Sequence, residues 1–414
     1  MDRVKITEAG CTPAPQPALL KAPREPDVSF SAILTLAAAC GLIVANIYYA
    51  QPLIAEIAHS LGLAPAAAGL IVTMSQIGYG AGLFFIVPLG DLVENRRLIL
   101  MSVALSAIAL ACAGFAPSAA IFLACAGLIG LGSVAVQILI PLAAHLAADA
   151  TRGRVVGMVS SGLMIGIMAA RPVSSFIAAQ TNWRVVFVLS AAAMAALAAV
   201  LSRALPIRAP QTRMTYLDLM NSMVQLARAT PILRRRAFYQ ACLFFGFSLF
   251  WTTIPLLLAG PQHGLTQNGI ALFALVGVSG AIAAPLAGRV ADRGWSRPAT
   301  GAAMLLVLIG LLVTLFPTPG SSLTLLVLAA IVIDFGVQAN LVLGYRAIFA
   351  FAPEARGRIN GVYLASLFAG GAMGSALGAW AYARGGWGLA CSIGLAAPLL
   401  ALVRYAVGVA TGKE

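Results

Sequence analysis

Charge is what this 414-residue sequence has least of. Only 9% of its residues are Asp, Glu, Lys or Arg, and no more than 13 are acids. A soluble domain devotes about a quarter of its residues to these four types, so there is too little polar surface here to cover a water-exposed globule. Histidine occurs three times, and the six cysteines form no C-x-x-C pair. That spacing favours small packing residues over a zinc site or a disulfide framework, since five of the cysteines sit in apolar runs and Cys11 lies in the leading tail. Nothing resembles a nucleotide-binding loop, since the Gly-rich stretches have no preceding strand and no following Lys-Ser/Thr. No metal or cofactor is expected. The 26 Lys and Arg against 13 acids give a net charge of +13. Because these bases do not cluster on amphipathic or aromatic-interleaved stretches, nucleic acid is not an expected partner.

What is present is hydrophobic length. Sixty-one per cent of residues are hydrophobic and the mean hydropathy is +0.95. A helix needs about 20 apolar residues to cross about 30 Å of hydrocarbon. Twelve runs of that kind lie at 30–50, 67–88, 98–116, 119–146, 155–179, 185–204, 237–258, 268–290, 299–316, 322–345, 359–382 and 388–408, here called spans 1 to 12 in order. The expected fold is an all-α integral membrane protein whose partner is the lipid bilayer. Short connections such as Ala116-Pro117-Ser118 and Pro317-Thr318-Pro319-Gly320 require antiparallel neighbours, and one long connection, 205–236, divides the chain six plus six. The organisation predicted is a disordered tail (1–28), a first six-helix bundle (29–204), a central loop (205–236), a second bundle (237–408) and a short tail (409–414). Residues 1–28, with four bases, four acids and five prolines before any apolar run, do not read as a cleavable signal peptide.

The bases set the orientation. Twenty-three of the 26 fall on one side of the predicted topology, including the tail. Arg184 and Arg384 fall on the other, and Arg171 alone lies within a span away from its ends. The positive-inside rule then puts both termini in the cytoplasm. Intramembrane charges are costly and face cavities or partners, so Arg171 and Asp334, the one acid within a span, head the list of functional candidates. Asp334 lies about 12 residues, roughly 18 Å, from the outer end of span 10, and Arg171 about 16 residues, roughly 24 Å, from the inner end of span 5. Asp334 reads as a proton-coupling or cation-binding carboxylate, with Arg171 as its electrostatic modulator rather than a direct contact. An enzyme would need a His/Asp/Glu or Ser/His constellation at membrane depth, and there is none.

The halves repeat. Arg152-Gly153-Arg154-Val155-Val156-Gly157 opens span 5, and Arg356-Gly357-Arg358-Ile359-Asn360-Gly361 opens span 11 at an offset of 204. The same offset relates Gly132 to Gly336 and Trp183 to Trp387. After span 2 comes Pro88-Leu89-Gly90-Asp91-Leu92-Val93-Glu94-Asn95-Arg96-Arg97, and after span 8 comes Gly288-Arg289-Val290-Ala291-Asp292-Arg293-Gly294. Duplicated six-helix halves suit a transporter that rocks around a central site.

The Gly288-x-x-x-Asp292-Arg293-Gly294 turn, its partner around Asp91, the central loop and the six-plus-six plan resemble the major facilitator superfamily over nearly the whole chain after the tail. Asn46-Ile47-Tyr48-Tyr49-Ala50-Gln51-Pro52-Leu53, Thr73-Met74-Ser75-Gln76-Ile77-Gly78-Tyr79 and the ladder Gly162-x-x-x-Gly166-x-x-x-Ala170-Arg171-Pro172 resemble a bacterial branch of drug:proton antiporters and sugar-efflux permeases. The resemblance implies two pseudo-symmetric bundles with spans 1, 4, 7 and 10 lining a central cavity. Asn46, Tyr48, Tyr49, Gln51, Gln76, Tyr79, Gln137, Trp251, Gln338 and Asn340 are then the candidate substrate contacts, suited to a modest-sized, partly apolar compound. It also implies gating roles for Asp91, Arg96, Arg97, Arg154, Asp292, Arg293 and Arg358, with Asp91 facing the start of span 11 near Arg358, and Asp292 the start of span 5 near Arg154. The expected function is proton-coupled efflux of small molecules by alternating access, by a monomer in a bacterial cytoplasmic membrane. Uptake by a symporter or facilitator is the alternative.

Overall fold

The structure, a computed structural model, describes residues 29–207, 214–315, 323–350 and 356–412. The tail 1–28, Arg208, Arg213, Lys413 and the Pro317–Gly320 connection lie outside these residues. Among the described residues there are helices and no strands, and the twelve expected spans are all present in two six-helix bundles. Spans 11 and 12 run as one helical stretch, Arg356–Ala410, bent at Gly385 and Gly386. Gly386 adopts φ +64°, a conformation that costs an L side chain but not glycine, and this lets the chain reverse there.

Three boundaries differ from expectation, each for a local reason. Span 1 is helical over Phe30–Ala45, tightens through 46–50 into the short 3-10 turn Gln51–Leu53, and resumes as Ile54–Ser60. Pro52 donates no backbone hydrogen bond, so regular winding stops before it and the amides of Ile47, Tyr48 and Gln51 bond three residues back instead. Glu56 and His59, expected in an external connection, therefore belong to a helical extension. Span 8 is interrupted in the same manner: helices Gln267–Ala274 and Gly280–Asp292 are joined by the 3-10 segment Leu275–Ser279. Third, residues 205–236 are largely helix. Tyr216–Ala229 forms an amphipathic helix capped by Thr215, and span 7 begins at Pro231, earlier than hydropathy suggested. Arg236, assigned from sequence to the loop, is thus buried inside the second bundle, where it donates to the Thr300 hydroxyl at 2.7 Å. A basic Arg-Arg-Arg run masks helix in any hydropathy window, which is why the boundary was misplaced.

Small residues set how closely the helices pack. A Cβ on Gly166 would stand 2.2 Å from the Gly41 carbonyl oxygen, and one on Gly162 2.2 Å from that of Ala37, so span 5 lies directly on span 1. The 204-residue repeat is physical as well: Gly132 packs span 4 against the Ser102 carbonyl of span 3 (2.6 Å), and Gly336 packs span 10 against the Ala303 carbonyl of span 9 (2.7 Å).

Candidate functional site

The ladder on span 5 ends at Arg171, and close packing on span 1 delivers its guanidinium to the irregular stretch 46–53. Arg171 is 3% exposed. Its Nε donates to Gln51 Oε1 at 2.6 Å, and its Cζ stands 5.1 Å from the centre of the Tyr48 ring. The rest of its surroundings come from the second bundle. Trp251 of span 7 presents its face to the guanidinium at 4.3 Å and Phe247, one turn earlier, at 5.6 Å. Cation–π contacts of this kind strengthen when desolvated, to about 2 kcal/mol. The Trp251 indole N–H points the other way and donates to Asp334 Oδ1 at 2.7 Å. Asp334 is likewise 3% exposed.

Arg171 and Asp334 do not form an ion pair, yet they share one small space. A Cβ at Gly277, in the 3-10 break of span 8, would lie 3.3 Å from Arg171 Nη1 and 3.3 Å from Asp334 Oδ2. A methyl there would press on both, so the charges face each other across bare backbone with Trp251 linking them. Counted from the base-poor helix ends the two depths are close, nine residues from Gln180 for Arg171 and eleven from Leu323 for Asp334, and the breaks in spans 1 and 8 place Gln51 and Gly277 beside them. Irregular backbone at membrane depth is tolerated where it lines a protein-buried site, and both breaks occur at this level. The remaining cavity, between Gln51, Pro52, Arg171, Trp251, Ile270 and Phe273, measures about 10 Å³, room for about one water. Arg171 Nη2 and both side-chain amide atoms of Asn46, which is buried, have no hydrogen-bond partner among the described residues.

Other expected residues fall into separate groups. Gln76 crosses the bundles to Ser248 at 2.8 Å. Deeper toward the base-rich end, the Gln137 amide donates to the Tyr79 hydroxyl (3.2 Å) and accepts from Asn360 Nδ2 (3.3 Å), linking spans 2, 4 and 11. Asn340 donates to Gln240 at 2.6 Å within the second bundle, and Gln338 packs on the Gly280 backbone. Tyr49 bonds Ser190 of span 6 and so turns away from the seam into its own bundle. Sequence reasoning named Trp251 but missed Phe247, Gly277, Gln240 and Ser248. The amide of Gln240 inside an apolar run was a usable signal, whereas Phe247 and Gly277 carry none on their own.

The bundles meet along two lateral seams. Near the base-poor end both are closed: Thr73 Oγ1 donates to Ser375 Oγ (3.1 Å) and Ser375 Oγ to the Gly69 carbonyl (3.0 Å) between spans 2 and 11, and Gln267 Nε2 reaches the Pro52 carbonyl at 3.0 Å between spans 8 and 1. Toward the base-rich end, Gly157 of span 5 and Gly288 of span 8 have nothing among the described residues within 4 Å of where a Cβ would stand. The expected gating contacts are arranged accordingly. Asp292 pairs with Arg346 of its own bundle rather than facing Arg154, which is exposed, as is Arg293. Arg358 donates to Ser222 of the central-loop helix at 3.0 Å. Arg96 donates to the Ser202 carbonyl, while Asp91 and Arg97 are exposed at the end of span 2 and the start of span 3.

Comparison with known proteins decides what this architecture is. The family model of the Major Facilitator Superfamily matches residues 34–277 and 236–412. The chain belongs to the major facilitator superfamily. It is 39% identical over 381 residues to an uncharacterized transporter, YgaY, of Escherichia coli O157:H7, covering 92% of this chain and 95% of the relative. It is 34% identical over 392 residues to a probable transporter, SCO4007, of Streptomyces coelicolor, covering 92% and 90%. A point mutant of the nucleoside transporter NupG shares the fold at TM-score 0.75 with 14% identity, covering 91% of this chain and 99% of NupG. A bacterial homologue of the lysosomal transporter Spinster matches at 0.66 with 16% identity, covering 91% and 94%. As a superfamily member the chain is a multi-pass membrane transporter of small molecules and not an enzyme.

Proposed function

We propose that this transporter is a proton-coupled exporter in a bacterial cytoplasmic membrane, with both termini cytoplasmic and Asp334 as the proton carrier. The observation that carries the reading is the meeting of Arg171, Trp251 and Asp334 across the junction of the two bundles. When Asp334 is ionised, its attraction to Arg171 and its bond from Trp251 favour the closed seam between spans 5 and 8. When it takes a proton the attraction falls away, and the seam is free to part at the base-poor, outer end. Small-molecule release to that side with a proton carried back inward requires in addition that the protonated, substrate-free protein reclose the outer end and lose its proton to the cytoplasm. Asn46, Tyr48, Gln51, Gln76, Tyr79, Gln137, Trp251, Gln338 and Asn340 form the substrate path in this reading, while Tyr49 supports span 1. Asp91, Arg96, Arg97, Arg154, Asp292, Arg293 and Arg358 work the cytoplasmic end, where Arg346 holds Asp292 while that end is open.

The test is reconstitution with a pH-sensitive dye inside the vesicles and a screen of drugs, sugars, nucleosides and amino acids for substrate-induced proton movement. Proton movement opposite to substrate is the expected result. Movement in the same direction would replace export with symport, and transport with no proton movement would remove Asp334 as carrier.

A further inference from the structure

A second site lies away from the bundle junction. At the base-rich end of the second bundle, a groove of about 770 Å³ opens between the start of span 7 and the end of span 12, and its lining includes Arg234, Arg235, Arg404, Phe238 and Val407. Among the described residues no carboxylate lines it, and none of the three arginines forms an ion pair. Arg235 Nε is fully buried and has no hydrogen-bond partner among the described residues. The helix Pro231–Ala259 starts here, and its N-cap provides no side-chain hydrogen bond, so its first free amides add further positive potential. Three unneutralised guanidinium groups around an open groove are a receptor for an anion.

The groove's neighbour says which kind. Arg234 and Phe238 also line a second cavity of about 240 Å³, which runs along span 7 past Ala237 and Ala241 against Val362 and Ser366 of span 11. Apart from Arg234 and Ser366 its walls are apolar, and it leads from the charged groove toward the membrane interior. On the other flank, Val403 and Val407 are 53% and 57% exposed on the outer face of span 12. A charged groove at the level where the helices leave the bilayer, continued by apolar troughs, has the shape and chemistry of a lipid rather than of a soluble ion.

We propose that Arg234, Arg235 and Arg404 bind the phosphate headgroup of an anionic phospholipid, with acyl chain laid along Phe238 and the adjoining trough. The site is independent of substrate and proton coupling. It joins the two helices that begin and end the second bundle, so an occupied site ties span 7 to span 12 during rocking.

The experiment is native mass spectrometry of the full-length protein in non-ionic detergent, titrated separately with phosphatidylglycerol and phosphatidylcholine. The wild type should retain phosphatidylglycerol preferentially. Each arginine near an anionic headgroup contributes about a five-fold gain in affinity, so replacing Arg234, Arg235 and Arg404 together with Gln should weaken retention roughly a hundred-fold. A control triple, Arg203, Arg228 and Arg289 to Gln, removes equal charge from the same face and should change retention by no more than about three-fold. Arg404→Glu alone, at an exposed position, covers the case in which the triple variant does not fold, and should still weaken binding at least about five-fold. Equal loss in both triples would overturn the proposal in favour of a diffuse surface potential. Displacement of phosphatidylglycerol by millimolar inorganic phosphate would overturn it in favour of a free-anion site.

Discussion

The two lateral seams between the bundles are built from a duplicated sequence, and they differ where the chemistry lies. The 204-residue offset carries Arg171 of span 5 onto Ser375 of span 11, and Asp334 of span 10 onto Gly130 of span 4. One seam is closed by hydroxyls: Ser375, Thr73 and the Gly69 carbonyl, with no charge involved. The other is closed by a guanidinium, an indole and a carboxylate. Space follows the same division. In the first bundle the glycine is on span 4, where a Cβ at Gly130 would stand 2.0 Å from the Ser75 carbonyl oxygen. In the second bundle the small residues are Gly277 and Gly280 on span 8, and the equivalent position on span 10 is free to carry an acid. The difference teaches that a repeat can provide two similar seams while only one of them carries a group able to take up a proton.

The strongest way to break this comparison is to remove the acid. Asp334→Asn leaves an isosteric hydrogen-bond acceptor for Trp251 but nothing to titrate. Accumulation driven by an imposed pH gradient in vesicles should fall to background, and retained concentrative transport would refute the role. Trp251→Phe is the next test. It keeps a ring beneath Arg171 and deletes the donor to Asp334. A hydrogen bond to a charged group is worth about 1.5–3 kcal/mol, so the pH-dependent change should weaken about ten- to a hundred-fold in transport rate. Gly277→Ala sharpens the argument about space. The added methyl stands against both charged groups, and overpacking of about 1–3 kcal/mol should shift the seam away from the closed state, read as increased cysteine accessibility at the base-poor end. Gly157→Ala and Gly288→Ala, which meet open space, should leave that accessibility unchanged.

At the hydroxyl seam the effects should be smaller and of another kind. Ser375→Ala removes hydrogen bonds worth about 1 kcal/mol and should lower the rate a few-fold without moving its pH profile. Smallest of all is the central-loop helix. The Thr215 hydroxyl and amide bond Asp218 and hold its carboxyl below the usual carboxylate range. Because the folded value is depressed, this cap is fully present above the ordinary carboxylate range and is lost only as pH falls through the lowered value. Between pH 5 and 8, Asp218→Asn should cause a small, pH-independent loss of helicity over 216–229, measurable by hydrogen exchange, with no change in proton coupling.

The sequence made the spans and the two intramembrane charges plain, because lipid forbids unpaired charge and demands long apolar runs. It did not reveal that the charges meet. Their depths look unequal when counted from opposite ends, but from the base-poor helix ends they lie nine and eleven residues in, and the packing that sets Gly277 between them leaves no mark in the sequence. Gly277 shows the limit most clearly. Within an apolar run a glycine is ordinary, and its meaning comes from the Arg171 and Asp334 atoms that stand 3.3 Å from its missing Cβ. The acidic-then-basic turns were recognisable as motifs, but the partner of Asp292 was not, and it is Arg346 of its own bundle. The start of span 7 was hidden by Arg234, Arg235 and Arg236, although the last of these is buried against Thr300.

The central claim is that the Arg171–Asp334 seam responds to protons and the Ser375 seam does not respond by itself. It is tested most directly by placing spin labels at Gln180 and Asn268, at the base-poor ends of spans 5 and 8, in a cysteine-free background, and measuring the inter-label distance between pH 5 and 8. The wild-type distribution should shift to longer distances as pH falls, and the Asp334→Asn variant should hold the longer distance throughout. A wild-type distance independent of pH, or an Asp334→Asn variant that still responds as the wild type does, would contradict the account.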